Sequence, residues 1–157
     1  MGEQRGDQED LAGEPFVGPA GKLLSRSLEE AGIDRQAVYV TNAVKHFKWT
    51  ARGKRRLHAK PSAREIAACR PWLEAEVQAL KPRMIVCLGA TAAQSILGPT
   101  FRVTKQRGEL LSGEWAEWIM DTYHPSALLR TPDPAKRHEI YAEFVADLRK
   151  AGETLAG

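Results

Sequence analysis

The run Met84-Ile85-Val86-Cys87-Leu88 constrains this chain more than any other stretch. Five consecutive apolar residues, bounded by Lys81-Pro82 and Gly89, suit a strand covered on both faces. Helical patterns flank it. Ser62 can cap a helix from Ala63 to about Leu80, with Glu65 at the capping-box position, and Gly89 to Gly98 reads as a second, short helix. Two more strands are expected, Ala37 to Val40 running into Thr41-Asn42 and Trp115 to Thr122, with Phe101 to Leu111 strand or extended. Leu23, Leu24 and Leu28 predict a helix over Ala20 to Ala31 ended by Gly32, and Pro134 to Lys150 reads as a closing amphipathic helix. Strands alternating with helices imply right-handed βαβ units and a mainly parallel sheet inside a three-layer αβα sandwich. The 157 residues suffice for one domain, taken as 1–157, without internal repeats.

In such a sheet the ligand lies off the carboxyl ends of the strands. That rule selects Asn42, Gly89 and His124-Pro125-Ser126, together with an acidic loop at residues 3 to 10 that reads as the end of a strand the chain lacks. Singly, each has a plain reading: solvated acids, Phe16 as a core plug, Asn42 as a turn-former and His124 as a helix-entry residue. The glycines between Gly13 and Gly21 do not make a phosphate loop, because GxxxxGK[ST] would need Gly where Phe16 stands and Ser or Thr where Leu23 stands.

The segment Lys45 to Pro61 is expected to be a basic loop, since Arg52, Lys54, Arg55, Arg56 and Lys60 are too densely charged for a core. Lys and Arg displace counterions from phosphates, and Phe47 or Trp49 can stack on unpaired bases, so a nucleic acid suits it. A solvated basic loop is the plainer alternative. His58 stands beside this cluster, where like charge disfavours its protonated form and leaves a base or nucleophile. The net charge of +3 is small, so any nucleic-acid contact must come from local clustering. With 43% hydrophobic and 27% charged residues the composition is that of a soluble protein, and no apolar run approaches a membrane span. Cys69 and Cys87 lack the spacing of a zinc ribbon, and Gly2 to Asp10 is too polar for a signal peptide, which together favour a reducing, cytoplasmic location.

Gly2 to Asp10, Pro15-Phe16-Val17-Gly18-Pro19-Ala20-Gly21, Tyr39 to Lys45 and His124 to Arg130 together resemble the uracil-DNA glycosylase superfamily, in its iron-sulfur branch. Lys54-Arg55-Arg56-Leu57-His58 narrows the resemblance to the UdgX type, marked by a basic loop ending in a histidine that joins the abasic sugar. The resemblance implies excision of uracil from DNA, preferably single-stranded, by a monomer. His124 would donate to the base oxygen, Asn42 would read its Watson-Crick edge and Phe16 would stack on it. His58 would attack the sugar with Glu3 as proton acceptor or orienter, Gln4, Asp7 and Asp10 would line the site, Arg130 would hold a phosphate or the loop, and Lys54, Arg55 and Arg56 would contact DNA.

The same branch carries a 4Fe-4S cluster. Of its four ligands this sequence offers counterparts of the later two, Cys69 and His46, without the early CxxC pair. The strand expected before Gly2 is missing and Arg5 replaces the usual proline, which gives the expectation of an N-terminally truncated chain. Two rivals follow: an ordinary turnover glycosylase in which His58 contacts phosphate, and a non-catalytic fragment that binds single strands.

Overall fold

The computed structural model describes residues 1–4, 18–44, 49–52, 55–58, 62–98 and 103–157. Four strands run parallel. β1 (Gly2–Gln4) pairs with β2 (Asn42–Val44), placing Gly2 opposite Asn42, and β5 (Met84–Leu88) pairs with β6 (Trp118–Thr122), placing Leu88 opposite Thr122. The two ladders meet at Met1, which donates to the Val86 carbonyl and accepts from Leu88 N–H at 2.7 Å, so that β1 lies beside β5 with β2 and β6 on the outer sides.

Helices cover both faces because β5 alternates. Val86 and Leu88 meet Leu24 and Leu28 of α1 (Pro19–Glu30) and Phe144, Val145 and Leu148 of α6 (Pro134–Ala156). Ile85 and Cys87 face Ala92 and Ala93 of α3 (Ala90–Leu97), with Val77 of α2 (Ala63–Leu80) packed behind. Phe144 is fully buried, and truncation to Ala should cost about 3–5 kcal/mol. The cap read from sequence forms, Ser62 Oγ accepting from Glu65 N–H at 3.2 Å, and a second cap is found at the last helix, where Asp133 accepts from Ala135 N–H at 3.1 Å. α1 ends where Gly32 takes φ +77° and Ile33 N–H returns to the Leu28 carbonyl.

Several expectations need correction. Residues 1 to 10 are not loop throughout, because Gly2–Gln4 is β1, and the gap expected beside a buried strand is filled over this length by Met1–Gln4. Ala37 to Val40 is not a ladder strand. Asp34 accepts from Gln36 N–H and winds Arg35–Ala37 into a 3-10 turn, after which Val38 and Val40 pack on the core while Tyr39 is 60% exposed. Asn42 therefore opens its strand instead of following it. Within Phe101 to Leu111, Val103–Gln106 forms the helical turn α4, and Leu111 alone bridges to Ile119. The basic segment contains an antiparallel pair, β3 (Trp49–Arg52) with β4 (Arg55–His58). The third strand begins at Trp118, later than expected, and the last helix runs on to Ala156.

Candidate active site

The strand registers put four positions at one height across the sheet: Asn42, Gly2, Leu88 and Thr122. Three strand spacings of about 4.8 Å separate the first from the last, so roughly 14 Å lies between their backbones. This row is the carboxyl edge of β5 and β6, and His124 rises from it two residues beyond Thr122.

His124 is the N-cap of α5 (Pro125–Arg130), with Pro125 fitting the first helical turn. Its Nδ1 accepts from the Ser126 backbone N–H at 3.0 Å and lies 2.7 Å from Ser126 Oγ. A nitrogen that accepts a backbone N–H must keep its lone pair, so the neutral ring carries its proton on Nε2 and that nitrogen is a donor. Gly89 closes the other side. It has φ +94°, its N–H donates to the Thr122 carbonyl at 2.8 Å, and a Cβ there would stand 3.2 Å from His124 Cβ. Only glycine lets the turn after β5 lie this close to the histidine.

Asn42, 2% exposed, is approached by a segment fixed to α2. Glu76 accepts from Tyr39 OH at 2.7 Å and from Thr41 Oγ1 at 3.1 Å, and the bond from Tyr39, with burial, raises the phenol above its ordinary range. A matching arrangement supports His124. Thr122 Oγ1 donates to Asp147 Oδ2 and Tyr123 OH to Glu143 Oε2, each at 2.5 Å, both acids lying on α6. Asp121, between Met120 and Thr122, is fully buried. Burial pushes its carboxyl up to about 8, with the nearby Thr122 and Gly89 N–H groups pulling the other way, and neither oxygen makes a hydrogen bond of normal geometry among the described residues.

The other candidates divide by what is described. Glu3 and Gln4 lie on β1, and Arg55, Arg56 and His58 on β4 with His58 opposite Trp49, by backbone only. Asp7, Asp10, Phe16, His46 and Lys54 lie outside the described residues. Arg130 is exposed in the last turn of α5, and Cys69 is buried in α2. Sequence reasoning missed Glu76, Arg107, Glu143 and Asp147. For Asp147 a signal existed: it falls at the i+3 position of the buried set Phe144, Asp147, Leu148 and Ala151, where an apolar residue is the default.

A family model described as the uracil DNA glycosylase superfamily matches residues 1–149. The chain is 37% identical over 152 residues to a type-4 uracil-DNA glycosylase of Thermotoga maritima, an alignment covering 96% of this chain and 73% of that protein. It is 34% identical over 160 residues to the type-4 enzyme of Archaeoglobus fulgidus, covering 98% and 74%, and 36% identical over 156 residues to that of Pyrobaculum aerophilum, covering 94% and 72%.

Proposed function

The chain belongs to the uracil DNA glycosylase superfamily, and from that premise we propose that it excises uracil from DNA with His124 and Asn42 as the groups that handle the base. The observation that carries the reading is the Ser126 N–H to His124 Nδ1 hydrogen bond, which makes Nε2–H a donor on the carboxyl edge. Breaking an N-glycosidic bond sends the bonding electron pair into the base and leaves an oxocarbenium-like sugar. A fixed donor aimed at the base carbonyl stabilises that charge as it grows, and is worth about 3–4 kcal/mol in comparable oxyanion sites. Asn42 can both donate and accept, which suits uracil and opposes cytosine, whose exocyclic amine reverses one of the pairings. Phe16 stacks on the extruded base; Glu3, Gln4, Asp7 and Asp10 line the sugar side; Arg130 holds a phosphate. The protein works as one domain and a monomer.

The basic strand pair favours a finer reading. Lys54, Arg55 and Arg56 contact single-stranded DNA, and the lone pair of a neutral His58 nitrogen attacks C1′ as the C1′–N bond breaks and the uracil anion leaves, forming an imidazole N–C1′ bond whose remaining ring proton passes to the Glu3 carboxylate. The relatives' plain names favour a second reading, in which water takes that role and the enzyme turns over. A denaturing gel of the protein with a uracil-containing oligonucleotide decides. A retarded band that vanishes in His58→Ala supports trapping, multiple release of free uracil supports turnover, and no uracil release at all overturns both.

A 4Fe-4S cluster does not fit residues 1–157 alone. The sequence has two cysteines, and Cys87 lies in the core, where burial pushes its thiol up to about 12 and keeps it protonated. Cys69 is then the one thiol left to pair with His46, and no step of the reaction is routed through a cluster.

A further inference from the structure

The residues just before His124 are held by a charged network that the reaction itself does not use. Asp147 Oδ2 accepts from Thr122 Oγ1 and from Arg107 Nη1, each at 2.5 Å, with the carboxylate nearly buried. Glu143 Oε2 accepts from Tyr123 OH and lies 3.6 Å from Arg107 Nη2, while the Arg107 guanidinium sits 5.2 Å over the Tyr123 ring. The segment carrying Arg107 is pinned in turn: Gly108 N–H donates to the Asp121 carbonyl at 2.8 Å and Lys150 Nζ to the Gly108 carbonyl at 2.7 Å. Gly108 has φ +76°, and a Cβ there would come within 2.6 Å of Asp147 Oδ1, so the acid is pressed against bare backbone.

We propose that Arg107, Glu143 and Asp147 are positioning residues for His124, clamping the side chains of Thr122 and Tyr123 so that the imidazole is presented at a fixed height and tautomer. The inference rests on reading His124 as the donor to the leaving base. Thr122 is gripped by side chain as well as by the ladder, and Tyr123, which lies past the end of β6, by its side chain; both grips come from one helix, α6, and Arg107 bridges the two acids that make them. A network serving only to hold α6 on the sheet would not need to bind two successive residues of the loop entry; the apolar contacts of Phe144 and Leu148 already dock that helix. A donor displaced by an ångström loses much of its effect on the departing base while leaving DNA contacts elsewhere intact.

The test compares the double variant Glu143→Gln, Asp147→Asn and the milder Tyr123→Phe with the full chain. Glu139→Gln, which removes an exposed pairing with Lys136, is the control. Folding is checked by thermal melting, affinity by anisotropy of a thymine-containing oligonucleotide, and chemistry by single-turnover uracil release at saturating protein. The expected result is a rate loss on the order of tenfold for Tyr123→Phe and a hundredfold for the double variant, with affinity within about twofold and the control unchanged. Folded variants that release uracil at the wild-type rate, or lose binding in proportion to rate, overturn it. If the double variant does not fold, Tyr123→Phe alone carries the decision. If the wild-type protein releases no uracil, the functional reading fails separately, and imidazole 15N shifts decide the positioning: His124, assigned with His124→Gln, should be a single Nε2–H tautomer that becomes mixed in the variants, and unchanged shifts sink the proposal.

Discussion

At Gly89 two demands meet on one residue: a backbone at φ +94° and a neighbour, His124, whose Cβ would stand 3.2 Å from an added methyl group and have to give by a few tenths of an ångström. Gly98 offers an internal comparison, since it has φ +104° but nothing within 4 Å of the place a Cβ would occupy. Each Gly→Ala change should cost about 1–2 kcal/mol from left-handed strain, read as a fall of a few degrees in the melting temperature. Gly89→Ala should in addition slow uracil release at least tenfold at a temperature well below its melt, because His124 must move. Equal rates in the two variants would show that the close approach does not matter to the chemistry. The strand-end rule put Gly89 and His124 at the carboxyl ends of β5 and β6, where they lie, and it put Asn42 at a strand end too, although Asn42 opens β2. It could not reveal that the glycine and the histidine touch, because that depends on β5 and β6 being neighbours in register, a fact no local pattern encodes.

The elements that were legible are those whose ends carry their own chemistry. Ser62 announced α2 through its side-chain cap, amphipathic patterning announced α6, and the five apolar residues of β5 needed no partner to be recognised. Ala37 to Val40 misled because a short apolar run of strand-forming residues says nothing about whether a neighbour offers ladder bonds. Here the segment is held by side chains, with Glu76 gripping Tyr39 and Thr41 ahead of Asn42. Glu76→Ala should therefore loosen the entry to β2, raising hydrogen exchange at residues 39 to 42 and lowering uracil release by several-fold, while exchange in β5 and β6 stays as it was. Unaltered exchange at those residues would show that α2 does not hold the entry to β2. The β3–β4 pair was read as a loop because its charge density overrides strand patterning, yet Trp49, Thr50 and Leu57 are good strand formers on paired positions. Replacing Lys54, Arg55 and Arg56 together by Gln should weaken single-strand binding and flatten the slope of log affinity against log salt by about 2, at about 0.7 for each phosphate no longer neutralised. A slope that does not change would mean that this strand pair does not track the backbone of DNA.

For the molecule as a whole, the parallel sheet buries a carboxyl that its own fold makes difficult to ionise. Asp121 stands on β6 opposite Cys87, between the two helical layers, and burial raises it to about 8, well above its ordinary value of 3.8. The sign follows from proton counting. Between those two values the native state holds a proton that the unfolded chain has released, so this group's contribution to stability is fully present at low pH and is lost as pH rises toward 8. At about 1.4 kcal/mol per pKa unit, the loss is on the order of 6 kcal/mol at most, with Cys87 opposite adding nothing because its thiol stays neutral throughout. The comparison that isolates the effect is a slope, since an amide at this position has its own fixed cost of burial. Wild-type protein should melt at a falling temperature from pH 5 to pH 8, and Asp121→Asn should melt over a distinctly flatter range, the two curves converging or crossing near pH 8. Parallel curves would mean that Asp121 ionises normally in the fold, and that the space beneath the Gly89 and His124 junction is more polar than a dry sheet core.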